Sequence, residues 1–200
     1  MNILLNPTYF ANILHWCALV KSNQVSFEVC DSYQKQTYRN RTHIYSANGT
    51  LALSIPVVYS QNNRQMYRDI EIYNNDKWQN VHWKSLISAY GASPFFEFYK
   101  DSLEKIYLKK YTDLTKFNFD IINLIFEWIE IEIKSELSKG YNIWYENSLD
   151  LRKNIENKRC TSSENIRYRQ VFSNKNGFLN DLSIMDLIFN EGPNSISYLK

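Results

Sequence analysis

The stretch NILLNPTYFANILHWCALVKSNQVSFEVC, residues 2–30, decides the fold. Residues 2–5 are a short, mainly apolar run that stops at an Asn-Pro pair, which predicts a buried strand. Apolar residues then recur at helical spacing across residues 9–21, and apolar and polar residues alternate across residues 25–30 as in a half-buried strand. Because strand, helix and strand follow one another, the sequence predicts a parallel strand pair with a helical crossover.

Two further signals extend this sheet. The dipeptide Asn48-Gly49, between residues 42–46 and 50–59, is typical of the turn of a β-hairpin. Residues 69–73 alternate again and predict another strand. The first part of the chain is therefore expected to form a mixed β-sheet with a βαβ start and a hairpin.

Helical spacing dominates the middle of the chain. Apolar residues recur every three or four positions in three stretches, which predicts helices over residues 78–89, 95–106 and 114–137. The pattern of the third helix suits core packing or the seam of a homodimer. These helices make a packed helical half that follows the sheet.

The last part of the chain predicts short elements. Residues 141–145 and 168–172 have the pattern of strands, and residues 183–189 that of a helix with Ser183 as its N-cap. The whole chain of 200 residues is long enough for one sizeable core. We therefore expect a mixed α/β fold in a single domain.

Composition excludes several classes of enzyme and partner. Of the 200 residues, 44% are apolar and 22% charged, which is a globular balance. The formal net charge of +2 is too small to indicate a nucleic-acid partner. With 5 glycines, the chain contains neither the GxGxxG nor the GxxxxGKS/T loop that cradles nucleotide phosphates.

Cysteine, histidine and serine patterns give no familiar catalytic or metal motif. The 3 cysteines include no CxxC pair and the 3 histidines lack HxH or HExxH spacing, so no metal site is expected. The GxSxG elbow of serine hydrolases does not occur. The N-terminus has no signal-peptide pattern, and acidic residues interrupt the most apolar stretch, residues 117–133. We therefore expect a cytoplasmic protein without a membrane span.

Residues 31–43 form a polar segment without an aliphatic side chain. In an extended conformation, one face would carry Lys35, Arg39, Arg41 and His43. Arg39 and Arg41 would then form a fork for a carboxylate or phosphate, since each guanidinium can bind such a group through two hydrogen bonds. The alternative is a solvated basic edge or loop whose arginines pair with Asp31 and Glu28.

His82 lies among aromatic residues on a predicted helix. There it can act as a general base or a substrate hydrogen-bonding group, or it can be a buried histidine with satisfied hydrogen bonds. His15 gives a weaker signal because it falls within the mostly apolar first helix. Arg167 and Arg169 repeat the Arg-x-Arg arrangement, which leaves nucleic-acid binding as an unfavoured alternative.

Several segments together resemble the WbqC-like protein family, bacterial proteins found in surface-polysaccharide gene clusters. The resemblance covers nearly the whole chain in order and includes NPTYF (residues 6–10), YQKQTYRNR (33–41), SPFF (93–96) and LSIMDLIFNEGP (182–193). His82 also lies in a matching segment. The family pattern has Gln-Pro where this chain has Asn6 and Pro7.

The resemblance implies a role in building surface glycans, as a transferase that adds an acyl or aminoacyl group to a sugar. In that role Arg39 and Arg41 hold a small anionic or sugar-derived substrate, Lys35 assists the charge, and His82 is the general base. Further substrate-binding positions are expected at Asn6, Tyr9, Tyr33, Tyr38 and Asn40. The cofactor is left open. The alternative is a non-catalytic ligand-binding or protein-interaction module.

Overall fold

The computed structural model describes residues 1–59, 64–141, 148–153 and 166–200. Its strands include β1 (Asn2–Leu5), β2 (Gln24–Phe27), β3 (Arg41–Ser46), β4 (Gly49–Ser54), β5 (Val57–Val58), β6 (Glu71–Ile72), β7 (Lys134–Leu137) and β8 (Ser148–Asp150). Its helices include α1 (Ile13–Val20), α2 (Trp78–Tyr90), α3 (Phe96–Leu108), α4 (Leu114–Trp128), α5 (Ser173–Asn176), α6 (Ile184–Glu191) and α7 (Ser195–Leu199). The arrangement confirms the predicted mixed α/β class. In these ranges no helix is long and apolar enough to cross a membrane.

The opening of the chain forms the predicted parallel strand pair, which lies within a larger parallel sheet. Among the described strands the sheet has the order β7-β2-β1-β8, and each neighbouring pair is parallel. β1 pairs with β2 in the register of Ile3 with Val25, and α1 connects the two strands. Helix α1 begins later than predicted because the Asn12 side chain accepts a hydrogen bond from the backbone N–H of His15 and caps the helix.

The Asn48-Gly49 hairpin is confirmed and forms a sheet of its own. Strands β3 and β4 pair in antiparallel fashion around the turn, and Gly49 has a φ of +99°, which favours glycine. The strand predicted at residues 69–73 is shorter, as β6, and pairs with β5. The parallel strands and the hairpin therefore lie in separate sheets rather than in one mixed sheet.

The helix predicted over residues 114–137 is wrong in its second half. Helix α4 ends at Trp128, and Glu130 then adopts a φ of +53° that takes the backbone out of the helix. Residues 134–137 form β7, which pairs with β2. The sequence IEIEIKSEL alternates apolar and polar residues, so its period is that of a strand. A dimer seam along one helix over residues 114–137 therefore has no structural basis.

The strand predicted over residues 168–172 is also wrong, because this segment has no regular structure. Tyr168 donates a hydrogen bond to Asp186 over 2.6 Å. The side-chain amide of Gln170 donates to the Leu179 carbonyl and accepts from the Leu179 backbone N–H. These side-chain bonds take the place of a strand ladder. The predicted helix at residues 183–189 is confirmed as α6, with Ser183 as its N-cap. Most of the predicted strand at residues 141–145 lies outside the described residues.

A continuous hydrophobic cluster joins the parallel sheet to the helices. It includes Ile3 of β1, Phe117 of α4 and Phe189 of α6, all fully buried. After α6 the chain turns at Gly192, which has a φ of +55°. A Cβ atom there would lie 2.5 Å from a ring atom of Phe95, so the close packing of this turn requires glycine.

Candidate functional site

Polar side chains collect where the parallel strands end. Because the four strands run in the same direction, their carboxyl ends meet at one edge of the sheet. Asn6, Glu28 and Ser138 directly follow β1, β2 and β7, and Arg152 lies two residues beyond β8. The chain leaves β1 toward β2, whereas β8 lies on the other side of β1. The ends of β1 and β8 thus form a topological switch point, where open parallel sheets bind ligands. We refer to it as the switch-point edge.

A small cavity opens at the switch-point edge. Its volume of about 10 Å³ suits a single water molecule or a hydroxyl group. The cavity is lined by Leu5, Asn6, Thr8, His15, Tyr38, Arg39, Leu151 and Arg152. These cavity residues come from the end of β1, the first turn of α1, the segment before β3 and the end of β8.

Arg39 is held in a buried polar network beside the cavity. Its side chain is 1% exposed and donates hydrogen bonds to the Asp31 carboxylate over 2.5 Å and to the side-chain carbonyl of Asn6 over 3.0 Å. The Asn6 amide in turn donates to Asp31 over 3.1 Å and to the Glu28 backbone carbonyl over 2.8 Å. Burial raises the pKa of Asp31, and the positive charge of Arg39 opposes this shift. The network fixes the guanidinium at the edge of the sheet.

Arg152 is held by carboxylates on the other side of the cavity. It donates to both carboxylate oxygens of Asp150 over 3.0 and 2.7 Å, and to Glu28 over 3.3 Å. Glu28 also accepts hydrogen bonds from the Cys30 backbone and from Ser138, each over 2.7 Å. Both cavity arginines are therefore charge-compensated by neighbouring carboxylates and act as oriented hydrogen-bond donors.

His15 and Thr8 contribute neutral polar groups to the cavity. His15 is 2% exposed, and neither of its ring nitrogens has a hydrogen-bond partner within the described part of the chain. The Thr8 hydroxyl lacks a partner there as well. Burial lowers the pKa of His15 to about 3, so its imidazole is neutral at physiological pH. Buried polar groups in native proteins are seldom left unsatisfied, so these atoms mark a place where a ligand or a water molecule can bind.

The βα connection explains why His15 reaches this edge. A helix that follows a parallel strand starts near the carboxyl end of that strand, and residues 6–12 connect β1 to α1. His15 is in the first turn of α1, whose capping residue is Asn12. The aligned peptide dipoles of α1 add a positive partial charge at this start of the helix.

The structure brings together three of the site residues predicted from the sequence. Asn6, Tyr38 and Arg39 all line the cavity. Residues 31–43 are not extended throughout, because residues 35–40 form turns and Gln36 has a φ of +62°. Residues 41–43 are extended, as the start of β3.

The expected fork of arginines is not formed as one unit. Arg41 donates from Nε to the Ser54 hydroxyl over 2.9 Å, whereas Arg39 pairs with Asp31. Lys35 is exposed, with its Nζ 4.5 Å from the centre of the Tyr59 ring. Neither Arg41 nor Lys35 is among the cavity residues.

His82 lies in a buried hydrogen-bonded chain rather than in the cavity. Its Nδ1 is 2.7 Å from the Tyr9 hydroxyl, which is also 2.7 Å from the Tyr107 hydroxyl. His82 is 4% exposed, and burial lowers its pKa to about 4 while a hydrogen bond with the Ser54 backbone opposes the shift. Tyr9 is the link between the predicted residues, since its backbone N–H donates to the Tyr38 carbonyl over 2.7 Å.

Two further predicted residues support the surrounding loops. The Asn40 amide donates to the Ile55 backbone carbonyl over 3.0 Å and ties the segment before β3 to the one after β4. Tyr33 is buried, with its ring 5.4 Å from that of Tyr59 and 6.1 Å from that of Tyr67. Neither is among the residues that line the cavity.

Comparison with known proteins places the chain in a family. The sequence model of the WbqC-like protein family matches residues 7–165. The chain belongs to the WbqC-like protein family. It is similar to "Uncharacterized protein Rv1507c" of Mycobacterium tuberculosis, with 26% identity over 194 residues that cover 84% of each chain. No solved structure matches it. The WbqC-like match spans most of the cavity residues, from Thr8 to Arg152.

Sequence reasoning missed Thr8 and Arg152 as cavity residues of this WbqC-like chain and gave His15 only a weak signal. His15 gives a weak signal because its neighbours in the sequence are mostly apolar. Its position in the first turn of the helix after β1 does indicate a place near the carboxyl end of the sheet, and the βαβ prediction makes that position available. Arg152 pairs with Glu28 at the switch-point edge, and the two residues are 124 positions apart in the sequence. A local sequence pattern cannot predict a contact over that separation. In the described residues, no group of three or more His, Cys, Asp and Glu side chains could hold a metal ion.

Proposed function

We propose that this WbqC-like chain is a transferase in the assembly of bacterial surface polysaccharides, and that it binds a sugar-derived substrate at the switch-point edge. The observation that carries the proposal is the cavity between the ends of β1 and β8, whose His15 and Thr8 side chains have no hydrogen-bond partner among the described residues. The resemblance to the family supplies the glycan context.

The chemistry of the cavity favours a hydroxyl group as its occupant. A hydroxyl both donates and accepts hydrogen bonds, and its size fits a cavity of about 10 Å³. The neutral imidazole of His15 offers an acceptor, and Arg152 and Arg39 are oriented donors. Because carboxylates already compensate both arginines, a sugar hydroxyl suits the cavity better than a free phosphate does.

The proposed roles follow from this placement. The substrate contacts Thr8, His15 and Tyr38 in the cavity, while Asn6 and Arg39 shape it. His15 lines the cavity as a neutral imidazole and accepts a hydrogen bond from the sugar hydroxyl, which orients that hydroxyl for attack on the donor. As the new bond to the transferred group forms, the bond between that group and the donor breaks, and the donor's leaving group departs with the hydroxyl proton. The charged part of an activated sugar then lies outside the cavity, where Lys35 is exposed.

A non-catalytic binding module is the second candidate, and the position of His82 favours it. The predicted general base is buried against Tyr9 and Trp78 and does not line the cavity. A binder needs only the cavity and its hydrogen bonds. The two functions separate once a ligand is known, because a transferase variant with His15→Gln loses turnover, whereas a binder has no turnover to lose.

The test is a thermal-shift panel of free sugars, sugar phosphates and sugar nucleotides on the wild-type protein and three variants. Thr8→Val keeps the side-chain shape and removes the unsatisfied hydroxyl, and His15→Gln removes the imidazole. Arg41→Gln is the matched control, because Arg41 lies outside the cavity. A ligand at a hundredfold its Kd stabilises the folded state by about 2.7 kcal/mol, which a melting curve detects readily.

We expect a sugar-dependent rise in melting temperature that is lost in Thr8→Val and His15→Gln and kept in Arg41→Gln. Loss of the shift in Arg41→Gln alone would move the binding site to the β3–β4 hairpin. A sugar-dependent shift that all three variants retain would disprove the cavity as the binding site.

A further inference from the structure

In the part of the chain that the structure describes, β7 is the edge strand of the parallel sheet on the side away from β1. Among the described strands its neighbour is β2, and all four of its residues are exposed. Leu137, the last residue of β7, is 55% exposed. An edge strand presents unpaired backbone N–H and C=O groups, which are a template for pairing with another strand.

The hydrogen bonds to β2 show which backbone groups of β7 point outward. The backbone N–H of Ser138 donates to the Phe27 carbonyl over 2.9 Å, so Ser138 faces β2. Backbone direction alternates along a strand, and Lys134 and Glu136 therefore face β2 as well. The N–H and C=O groups of Ser135 and Leu137 point away from the sheet, toward an incoming strand.

The side chains of β7 are complementary to a second β7 in antiparallel orientation. If a two-fold axis passes beside Ser135, each Ser135 exchanges two backbone hydrogen bonds with its copy. Lys134 then lies directly opposite Glu136 of the other copy, and the reverse pair forms on the other side of the axis. Leu137 lies opposite Ile133, which is half-buried. Opposite charges and apolar residues are both favourable in directly facing positions.

We propose that β7 pairs with β7 of a second copy of this chain, so that the two parallel sheets join into one across a two-fold axis at Ser135. The pairing is isologous, as in most homodimers, because the same residues serve on both sides. A lysine on an edge strand usually prevents association, but Glu136, two residues along the strand, supplies the opposite charge when two copies meet.

The pairing leaves the proposed sugar site open. Antiparallel strands point their carboxyl ends in opposite directions, so the two switch-point edges lie at opposite ends of the joined sheet. The proposal therefore does not depend on the proposed function, and neither test affects the other.

The test is the oligomeric state of the full chain, measured by sedimentation velocity over a wide range of concentrations. Lys134→Glu places two carboxylates opposite each other, the new one and that of Glu136 in the other copy. This repulsion should raise the dimer dissociation constant by about tenfold or more. The matched variant Lys134→Glu/Glu136→Lys exchanges the two charges and restores opposite charges in both pairs. We expect it to dimerise within about threefold of the wild-type dissociation constant.

A third variant tests the backbone bonds. Ser135→Pro removes an N–H that points away from β2, so the fold keeps its bonds to β2 while the dimer loses the central pair. Its melting temperature at low concentration checks that it is folded. A wild-type protein that stays monomeric at every concentration, or a dimer that Lys134→Glu and Ser135→Pro leave intact, would overturn the proposal.

Discussion

Acid should destabilise this protein in part because His15 has to take up a proton. Burial lowers the pKa of this histidine from 6.5 to about 3 in the folded state. The unfolded chain therefore binds the proton at a higher pH than the folded chain does. A depressed pKa contributes stability that is fully present above pH 6.5 and is lost as the pH falls toward 3.

The two pKa values fix the size of the effect. Between pH 7 and pH 4, His15 should reduce the free energy of unfolding by about 3 kcal/mol. His82, with a pKa that burial lowers to about 4, adds a loss of similar size. Asp186 acts in the opposite direction, because burial raises its pKa to about 6. As the pH falls from 7 to 4, it should increase the free energy of unfolding by about 2 kcal/mol. A variant that removes only His15 isolates the first contribution.

Urea unfolding of the wild-type protein and of His15→Gln at several pH values between 7 and 4 measures this contribution. The wild-type protein should lose about 3 kcal/mol more than the variant over the interval. His43→Gln, at a half-buried histidine of β3, controls for the removal of a histidine as such. If the wild-type and His15→Gln curves fall in parallel, the imidazole is not held neutral in the cavity, and its proposed role as an acceptor fails.

Three more perturbations probe the buried polar groups and the tight turns. Asp186→Asn should be more stable relative to the wild-type protein at pH 8 than at pH 4, and this difference should change by about 2 kcal/mol between the two pH values. The reason is that the raised pKa makes ionisation of the buried carboxyl of Asp186 costly above pH 6. Chemical denaturation of both proteins at both pH values measures the difference. Asp31→Ala should cost about 3–5 kcal/mol by leaving the buried Arg39 without this carboxylate. Chemical denaturation should show most of that loss recovered in Asp31→Leu/Arg39→Met. Gly192→Ala should destabilise by about 2 kcal/mol more than Gly49→Ala, since only the former brings a Cβ against a phenylalanine ring; equal changes in melting temperature would contradict this.

Local sequence patterns predict the first elements of the fold correctly. They fail where the same residues fit both a helical and a strand periodicity. The βαβ unit and the Asn48-Gly49 hairpin depend on signals within a few residues, and both are present. In residues 129–137, Ile129, Ile133 and Leu137 fit a helical step, while Ile131 completes a two-residue alternation. Pairing with β2 decides for the strand, and that contact is more than a hundred residues away in sequence.

The candidate site is only partly predictable for a related reason. A polar segment without aliphatic residues cannot enter the core, so residues 31–43 are a sound place to look, and Asn6, Tyr38 and Arg39 do lie together. The partner that each arginine finds depends on tertiary structure. Arg39 lies near Asp31 because residues 35–40 form turns. These residues include no glycine or proline, so the sequence gives no signal from which the turn could be predicted.

The contacts of Asn6 support our proposal that the cavity recognises a ligand by hydrogen bonds rather than by charge. Its carbonyl accepts from Arg39, and its amide donates to the Glu28 backbone and to Asp31. All of these partners are within reach of a side chain with one methylene, so the longer glutamine of the family pattern would have to fold back to keep them. The amide thus positions the ion pair, and we propose that His15 and Thr8 contact the substrate. Both groups are neutral, and for this reason we place a hydroxyl of the sugar, rather than a phosphate, in the cavity.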